Sequence, residues 1–328
     1  MQRFAGRTGV SFPGSASAGP LEMEDPGLSR ITRAIVALVT ILAVAGVGAL
    51  GTLLVLRARD DAMKRAGTSV RERAQVVAQV VHDAIRDDLN AVRSTTTRPF
   101  FRAALVSKTF AQTHAYLSEL IATHTRMVTV AVYDRTGHLV ARIPLDPAIE
   151  GKRFSQQEYF VKARDLGYHV SSLFSQLGNP KAPVIAYSGR VFFGGASIGV
   201  LAATTPLTAF DSLVAPYSPS GWAIRVYDQL GQIVSPSSEA SGRTFTGDAV
   251  VGPAFKGSST LKRTGRSLVA AAPIADFGWA VAVSQPAKQA DENTRTLTIR
   301  LSIFAGGAFL LALIAAALAW FRRAPATA

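Results

Sequence analysis

Two scales of apolar pattern organise this chain. From Ala34 to Leu56 there are 23 residues without a charge, bracketed by Arg30 and Arg33 before and by Arg57 and Arg59 after. That is enough for a helix to cross about 30 Å of hydrocarbon. A cleaved signal peptide ending at Ala43-Val44-Ala45 is the rival reading, but the apolar run continues 11 residues past it, longer than a signal h-region. A second uncharged run, Leu301 to Phe321, lies between Arg300 and the Arg322-Arg323 pair. From Arg57 to about Thr97 the period becomes helical, with Val70, Ala74, Val77, Val81, Ile85, Leu89 and Val92 at spacings of three and four. A helix of about 35 to 40 residues would reach about 55 Å. Thr68 and Asp88 are read as interrupting no core position. The seam has two readings, pairing with a second copy or packing on the chain's own sheets.

After the stalk the period falls to two. Val128, Val130 and Val132 lead into Tyr133-Asp134-Arg135-Thr136-Gly137, and 94 residues later Trp222, Ile224 and Val226 lead into Tyr227-Asp228-Gln229-Leu230-Gly231. Alternation predicts half-buried strands. Asp can bond its own backbone at the start of a turn and Gly can take positive φ at its end, so each copy reads as a β-hairpin. Further strands are expected at Pro183 to Val191, Ser197 to Ala203, Ser267 to Ile274 and Trp279 to Ser284. A period this long is a domain duplication, because solenoid units run about 20 to 50 residues.

Short helices are expected at Ala111 to His124, Ser155 to Asp165 and Pro206 to Val214. The predicted organisation is an unstructured tail over 1–30, a transmembrane helix over 31–57, a stalk over 58–97, a first module over 98–214 and a second over 215–286. A connecting helix over 287–300, a second transmembrane helix over 301–321 and a short tail over 322–328 complete it. Both ends then share one side of the bilayer and the segment 57–300 lies on the other. Arginines before the first span and after the second favour cytoplasmic ends, and the Arg57, Arg59, Lys64 and Arg65 cluster opposes this mildly.

Chemistry enters late. The chain has 328 residues, a net charge of +13 and no cysteine, which rules out disulfides and thiolate metal sites. No dense Lys/Arg run or aromatic interleaving supports nucleic-acid binding. His82, His114, His124, His138 and His169 show no metal-ligand spacing and read as surface residues. Neither a nucleophile elbow nor a P-loop occurs, so no enzyme is expected, and no cofactor.

The paired Tyr-Asp-x-x-Gly hairpins, Gly151 through Glu158-Tyr159-Phe160, Pro183 to Ser188, Gly199-Val200-Leu201 and Gly278-Trp279 fall in a characteristic order. In this the chain resembles the double Cache, PAS-like, sensor domains of bacterial chemoreceptors and sensor kinases over about residues 57 to 300. The resemblance implies an α+β fold of two tandem antiparallel sheets on a long N-terminal stalk helix, flanked by two transmembrane helices. It also implies a bacterial inner-membrane protein with a periplasmic or extracellular input module that binds a small ligand in the membrane-distal module. Members that bind α-amino acids carry an Arg-x-Trp-Tyr group, then a Tyr, then an Asp. Here Gln157, Tyr159 and Phe160 stand in the first group, Phe174 lies near the next position, and Ala202 to Thr204 offers no Asp. Binding of α-amino acids in that manner is therefore not expected, since an α-carboxylate wants a guanidinium and an ammonium wants a carboxylate.

Arg142, Arg153, Tyr159, Ser172, Phe174, Tyr187 and Arg190 are the expected ligand-binding residues. Three arginines, in a segment with 29 Lys/Arg against 19 Asp/Glu, suit an organic anion. Expected partners are this ligand, the bilayer, a second copy through the stalk if the seam is free, and a signalling partner in the membrane. The output domain that follows the second span in such receptors does not follow Phe321 here. A lateral relay to a partner, a remnant of a larger receptor, and a structural adaptor without a ligand all remain readings of this pattern.

Overall fold

The computed structural model describes residues 30–176, 179–239 and 244–286, together with 299–300, 302–304, 306–307, 309–311 and 314. The chain divides into two compact units, and the larger, Leu53–Leu301, contains both sheets. A single helix, α1, runs from Arg30 to Thr97. Two short helices follow, α2 (Pro99–Val106) and α3 (Phe110–Thr123), then the strands β1 (Thr129–Asp134) and β2 (Leu139–Ile143). Helix α4 (Glu158–Leu166) precedes β3 (Tyr168–Val170), β4 (Phe174–Gln176), β5 (Asn179–Phe193) and β6 (Ala196–Pro206). Helix α5 (Leu207–Val214) leads to β7 (Ala223–Tyr227), β8 (Ile233–Ser235), β9 (Thr260–Thr264), β10 (Ser267–Ile274) and β11 (Trp279–Pro286).

The first sheet has the order β2-β1-β6-β5-β3, with β4 also on β5, and the second β8-β7-β11-β10-β9. Every pairing is antiparallel. The two orders are the same order, which bears out the duplication. It holds down to single steps: the hairpin register shifts between Val132 and Tyr133 in one copy and between Val226 and Tyr227 in the other.

The apolar seam of α1 packs on the chain's own sheets. Val70, Ala74, Val77, Val81, Ile85 and Val92 are completely buried, in one core with Val130, Val132, Ile185 and Leu201 of the first sheet and Val226, Ala270, Val281 and Val283 of the second. Each valine, leucine or isoleucine among them contributes about 1.5–3 kcal/mol by leaving water. Between the two readings of the seam this decides for packing within the chain, so a second copy would have to meet another face of α1. The polar face of α1 is also engaged. Arg73 stacks 4.4 Å over the Trp222 ring and donates to the Tyr217 carbonyl at 3.1 Å.

Several expectations need correction. Asp88 is buried on the sheet side of α1, held by Arg126 at 2.8 Å; burial pushes its carboxyl up, against the pull of the guanidinium. Strand β1 is covered on both faces, with five of its six residues buried, because α4 and its flanking loops pack on the side opposite α1. Helix α2 and strand β9 arise where no element was expected. Among the described residues no helix is long and apolar enough to cross a membrane. The predicted spans over 31–57 and 301–321 fall where many side chains lie outside the described residues. The tails over 1–30 and 322–328 and nearly all of the expected helix over 287–300 lie outside them too.

His82 on α1 and His169 on β3 are not free surface residues. His82 Nε2 meets Asp276 at 2.9 Å and Nδ1 meets Asp83 at 3.0 Å, and the Asp276 bond lifts its pKa above the ordinary 6.5. A raised pKa means the stabilisation is complete below 6.5 and is lost as pH climbs through the folded-state value. Thermal unfolding of the full-length protein in detergent should therefore fall between pH 6 and 8 by a small increment, equivalent to less than about 1 kcal/mol for a solvent-screened pair. Asp276→Asn should flatten that part of the pH profile.

Candidate functional site

The two hairpin turns repeat almost atom for atom. Asp134 Oδ1 accepts the N–H of Thr136 at 2.8 Å and of His138 at 2.9 Å, and Asp228 Oδ1 accepts those of Leu230 and Gln232, both at 2.9 Å. Gly137 and Gly231 close the turns at φ of 89° and 77°. Each is crossed closely by the chain that follows: a Cβ on Gly137 would lie 2.7 Å from Ser155 backbone atoms, and one on Gly231 would lie 2.9 Å from the Thr246 nitrogen. Tyr133 packs on Phe154 and Tyr227 on Phe245, with ring centroids 5.5 and 5.4 Å apart. Glycine is required at these corners both for its φ and for the space.

On the face of the first sheet away from α1 the register stacks three tiers. Tyr133 opposes Val200, Ala131 lies between Arg142 and Ala202, and Thr129 opposes Thr204. The middle tier has two alanines between larger neighbours, so the sheet is low there. The result is a cavity of about 20 Å³, lined by all of these side chains but Val200, together with Ile149, Tyr159, Phe174 and Gln176. It has room for about one water.

The polar groups around this hollow are arranged in pairs. Tyr159 donates to the Tyr133 hydroxyl at 3.1 Å, and Gln176 Nε2 donates to Thr129 Oγ1 at 2.8 Å. Arg142, itself buried, reaches Asp146 through Nη1 at 2.8 Å. Burial pushes the Tyr133 phenol up to about 12, with the Tyr159 bond and the Arg142 charge pulling the other way, so it stays a neutral donor. Thr204 Oγ1 is buried with no hydrogen-bond partner among the described residues.

Of the seven expected ligand-binding residues, the fold brings Arg142, Tyr159 and Phe174 together here. The other four lie elsewhere. Arg153 is exposed and donates to the Thr136 carbonyl at 3.1 Å. Ser172 is committed to Glu158. Tyr187 points to the opposite face of the sheet, in the α1 core. Arg190 donates to the Arg164 carbonyl at 2.8 Å and lies over Phe192. Thr129, Ala131, Tyr133, Ile149, Gln176, Ala202 and Thr204 were not expected. Alternation from Tyr133 already puts Ala131 and Thr129 on its face, but the pairing of Thr129 with Thr204 across β6 needs the register.

A second polar cluster ties the two sheets together. Asp228 is fully buried, and its Oδ2 accepts the N–H of Leu173 from the first sheet's side at 2.8 Å. Burial pushes its carboxyl up, against the pull of the backbone N–H groups of Leu173, Gln232 and Leu230. Gln229 accepts from Trp279 Nε1 at 2.7 Å and donates to Glu158 and to the Val170 carbonyl, each at 3.4 Å. Glu158 also meets His169 at 2.9 Å. Burial acts to raise the Glu158 carboxyl, but bonds from His169 and Ser172 hold it below its ordinary value. Thus the second copy of the turn motif has the same inner geometry as the first and an added outer contact.

Asp87, Asp88 and His124 form a cluster with metal-ligating groups. Arg126 already contacts Asp88 at 2.8 Å and Asp87 at 3.1 Å, so the positive charge an ion would bring is supplied by a guanidinium.

No protein-family model matches the sequence, and no curated protein does. Solved structures do match the fold. The ligand-binding domain of the Pseudomonas aeruginosa PAO1 amino acid chemoreceptor PctB, in complex with L-Arg, superposes with a TM-score of 0.55 at 12% identity, covering 69% of this chain and 97% of that one. The ligand-binding domain of the Campylobacter jejuni chemoreceptor Tlp3 in complex with L-norvaline gives 0.55 at 14% identity, covering 70% and 94%. The extracellular domain of the putative histidine kinase rpHK1S-Z16 gives 0.53 at 15%, covering 68% and 95%. The chain therefore has the fold of these chemoreceptor and histidine-kinase domains, as its resemblance to double Cache domains implied. At such identities the likeness is one of fold alone.

The two aspartates should respond differently to removal. Asp228→Ala strands three backbone N–H groups, one of them across the joint, and should cost about 2–4 kcal/mol. Asp134→Ala, at a half-exposed turn, should cost about 1 kcal/mol. Urea unfolding of the full-length protein in detergent measures both, and equal losses would remove the special role of the second turn.

Proposed function

We propose that this chain is a membrane-anchored, extracytoplasmic small-molecule sensor that binds an organic anion on the α4 side of its first sheet. The observation that carries this is the hollow over Ala131 and Ala202. A guanidinium, several hydroxyls and an amide converge there on an apolar floor, the mix of apolar wall and few convergent polar groups typical of small-ligand sites. The two chemoreceptor neighbours of the same fold are themselves ligand-binding domains.

Membrane anchoring is supported by the uncharged run from Ala34 to Leu56 within α1, where Ile35, Leu38, Leu42, Leu50 and Leu53 are each more than half exposed. Such a face is stable where the solvent is hydrocarbon. The segment 57–300 would then lie in the periplasm or outside the cell. The first module, 98–214, would be membrane-distal and the second, 215–286, proximal.

A relay is supported by chain neighbours of the cavity wall. Tyr159 follows Glu158, which bonds Gln229 of the second module, and Phe174 follows Leu173, which donates to Asp228. A ligand that moves either ring acts at once on the joint between modules, and a small rigid-body step there suffices to bias a two-state partner in the membrane. Nothing in this scheme calls for catalysis.

The full-length protein in detergent, screened by thermal shift against carboxylates, amino acids, amines, sugars and purines, tests the reading. An organic anion should raise the melting temperature, equivalent to about 2.7 kcal/mol at 100 times its Kd. Arg142→Ala should abolish the rise and Arg190→Ala should keep it. A cooperative transition that no compound shifts would favour a structural spacer.

A further inference from the structure

The polar groups of the cavity differ in what they can still offer. Tyr133 accepts from Tyr159, so its own proton is available to a third group. Thr129 accepts from Gln176 and is likewise left with a donor. The buried Thr204 hydroxyl has no partner among the described residues. Arg142 uses only Nη1 in its hydrogen bonds among the described residues, and a guanidinium carries five N–H donors. The site is rich in donors.

Anionic acceptors are scarce among the described residues. The carboxylate beside the cavity is Asp146, and both of its oxygens are engaged, Oδ2 by Arg142 and Oδ1 by the N–H of Ala148 at 3.1 Å. An ammonium brought onto the floor of Ala131, Ala202 and Ile149 would be a buried cation without a counter-ion, which is strongly unfavourable. An amino acid is therefore a poor ligand, while a carboxylate of the same size is a good one.

Charge balance then bears on Asp146. The Arg142–Asp146 pair is neutral, and a ligand carboxylate added beside an intact pair would put a net negative charge on a largely buried site. The pair must open. Asp146 can be exchanged for a ligand carboxylate, because its side chain is 24% exposed, it lies in the connection after β2, it touches Arg142 by one bond, and the arriving carboxylate keeps the buried Arg142 paired. Ile149, on the same connection, covers the cavity, so movement of this segment also enlarges a space that now admits about one water.

Resting on the sensor reading, we propose that the ligand is a short-chain monocarboxylate without an ammonium group, and that its carboxylate displaces Asp146 from Arg142. The aspartate is a built-in competitor that sets the threshold of the sensor. The tyrosine and threonine hydroxyls are left to read a second oxygen, such as that of a 2-hydroxy acid.

The test uses four compounds of one size, propionate, L-lactate, propionamide and L-alanine, titrated calorimetrically into the full-length protein in detergent. Propionate and L-lactate should bind, and propionamide and L-alanine should not. Asp146→Asn leaves the buried Arg142 without its counter-ion and should lower the melting temperature of the protein alone, yet it should tighten propionate about fivefold, and Arg142→Gln should abolish propionate binding. Affinity unchanged or weakened in Asp146→Asn, L-alanine binding as tightly as L-lactate, or no binding by any of the four overturns the proposal. If in that case a sugar, amine or purine stabilises the protein and Tyr159→Ala removes the effect, the sensor reading survives without this ligand class. If no compound does, both fall.

Discussion

The rest of the structure depends on one helix having a single apolar seam long enough to serve two sheets. From Val70 to Val92 that seam is buried against the second sheet and then the first within one continuous core. Neither sheet could cover its own α1-facing side, since a sheet of five or six strands exposes a full apolar face that needs another layer. The shared helix supplies it, and so fixes which face of each sheet remains for other uses. In the first sheet that remaining face carries the cavity.

Duplication supplied two copies of one turn, and the two differ in what the second aspartate oxygen holds. Both aspartates hold their own turns through Oδ1 in the same way. The spare oxygen of Asp134 faces a half-exposed surface near His138, at 3.6 Å from its Nδ1. That of Asp228 is fully buried and binds the backbone of the other module. A buried carboxylate is costly unless every lone pair is used; here backbone N–H groups of both modules use them. The joint is thus directional and intolerant of slack.

The cavity itself is a consequence of side-chain size at one register level. Two alanines between a tyrosine–valine tier and a threonine pair leave a low place in the sheet, walled by Tyr159 and Phe174, whose rings lie 5.5 Å apart. Its chemistry comes from groups held in place by one another: Tyr159 on Tyr133, Gln176 on Thr129, Asp146 on Arg142. The same walls adjoin Glu158 and Leu173 in the chain, so the cavity and the joint between the sheets are built from neighbouring residues.

Much of this fold is legible in the sequence, for definite reasons. Periodicity is local, so the stalk seam, the hairpins, α3, α4 and α5 are all readable from spacing, and the 94-residue echo marks the duplication. Turn chemistry is local too, which is why Asp134, Gly137, Asp228 and Gly231 are readable as corners. Of the site, the Arg142, Tyr159 and Phe174 expectation coincides with the cavity, whereas Tyr187 lies across the sheet and Arg190 at its other end. What the sequence could not decide is how strands pair and what covers them. Asp88 looks like a solvated position until Arg126, 38 residues away in the chain, meets it. Thr204 looks unremarkable until the register sets it against Thr129. Period-two alternation names a residue's face but not its neighbour on the next strand, and the cavity, the joint and the buried charges are all made of such neighbours.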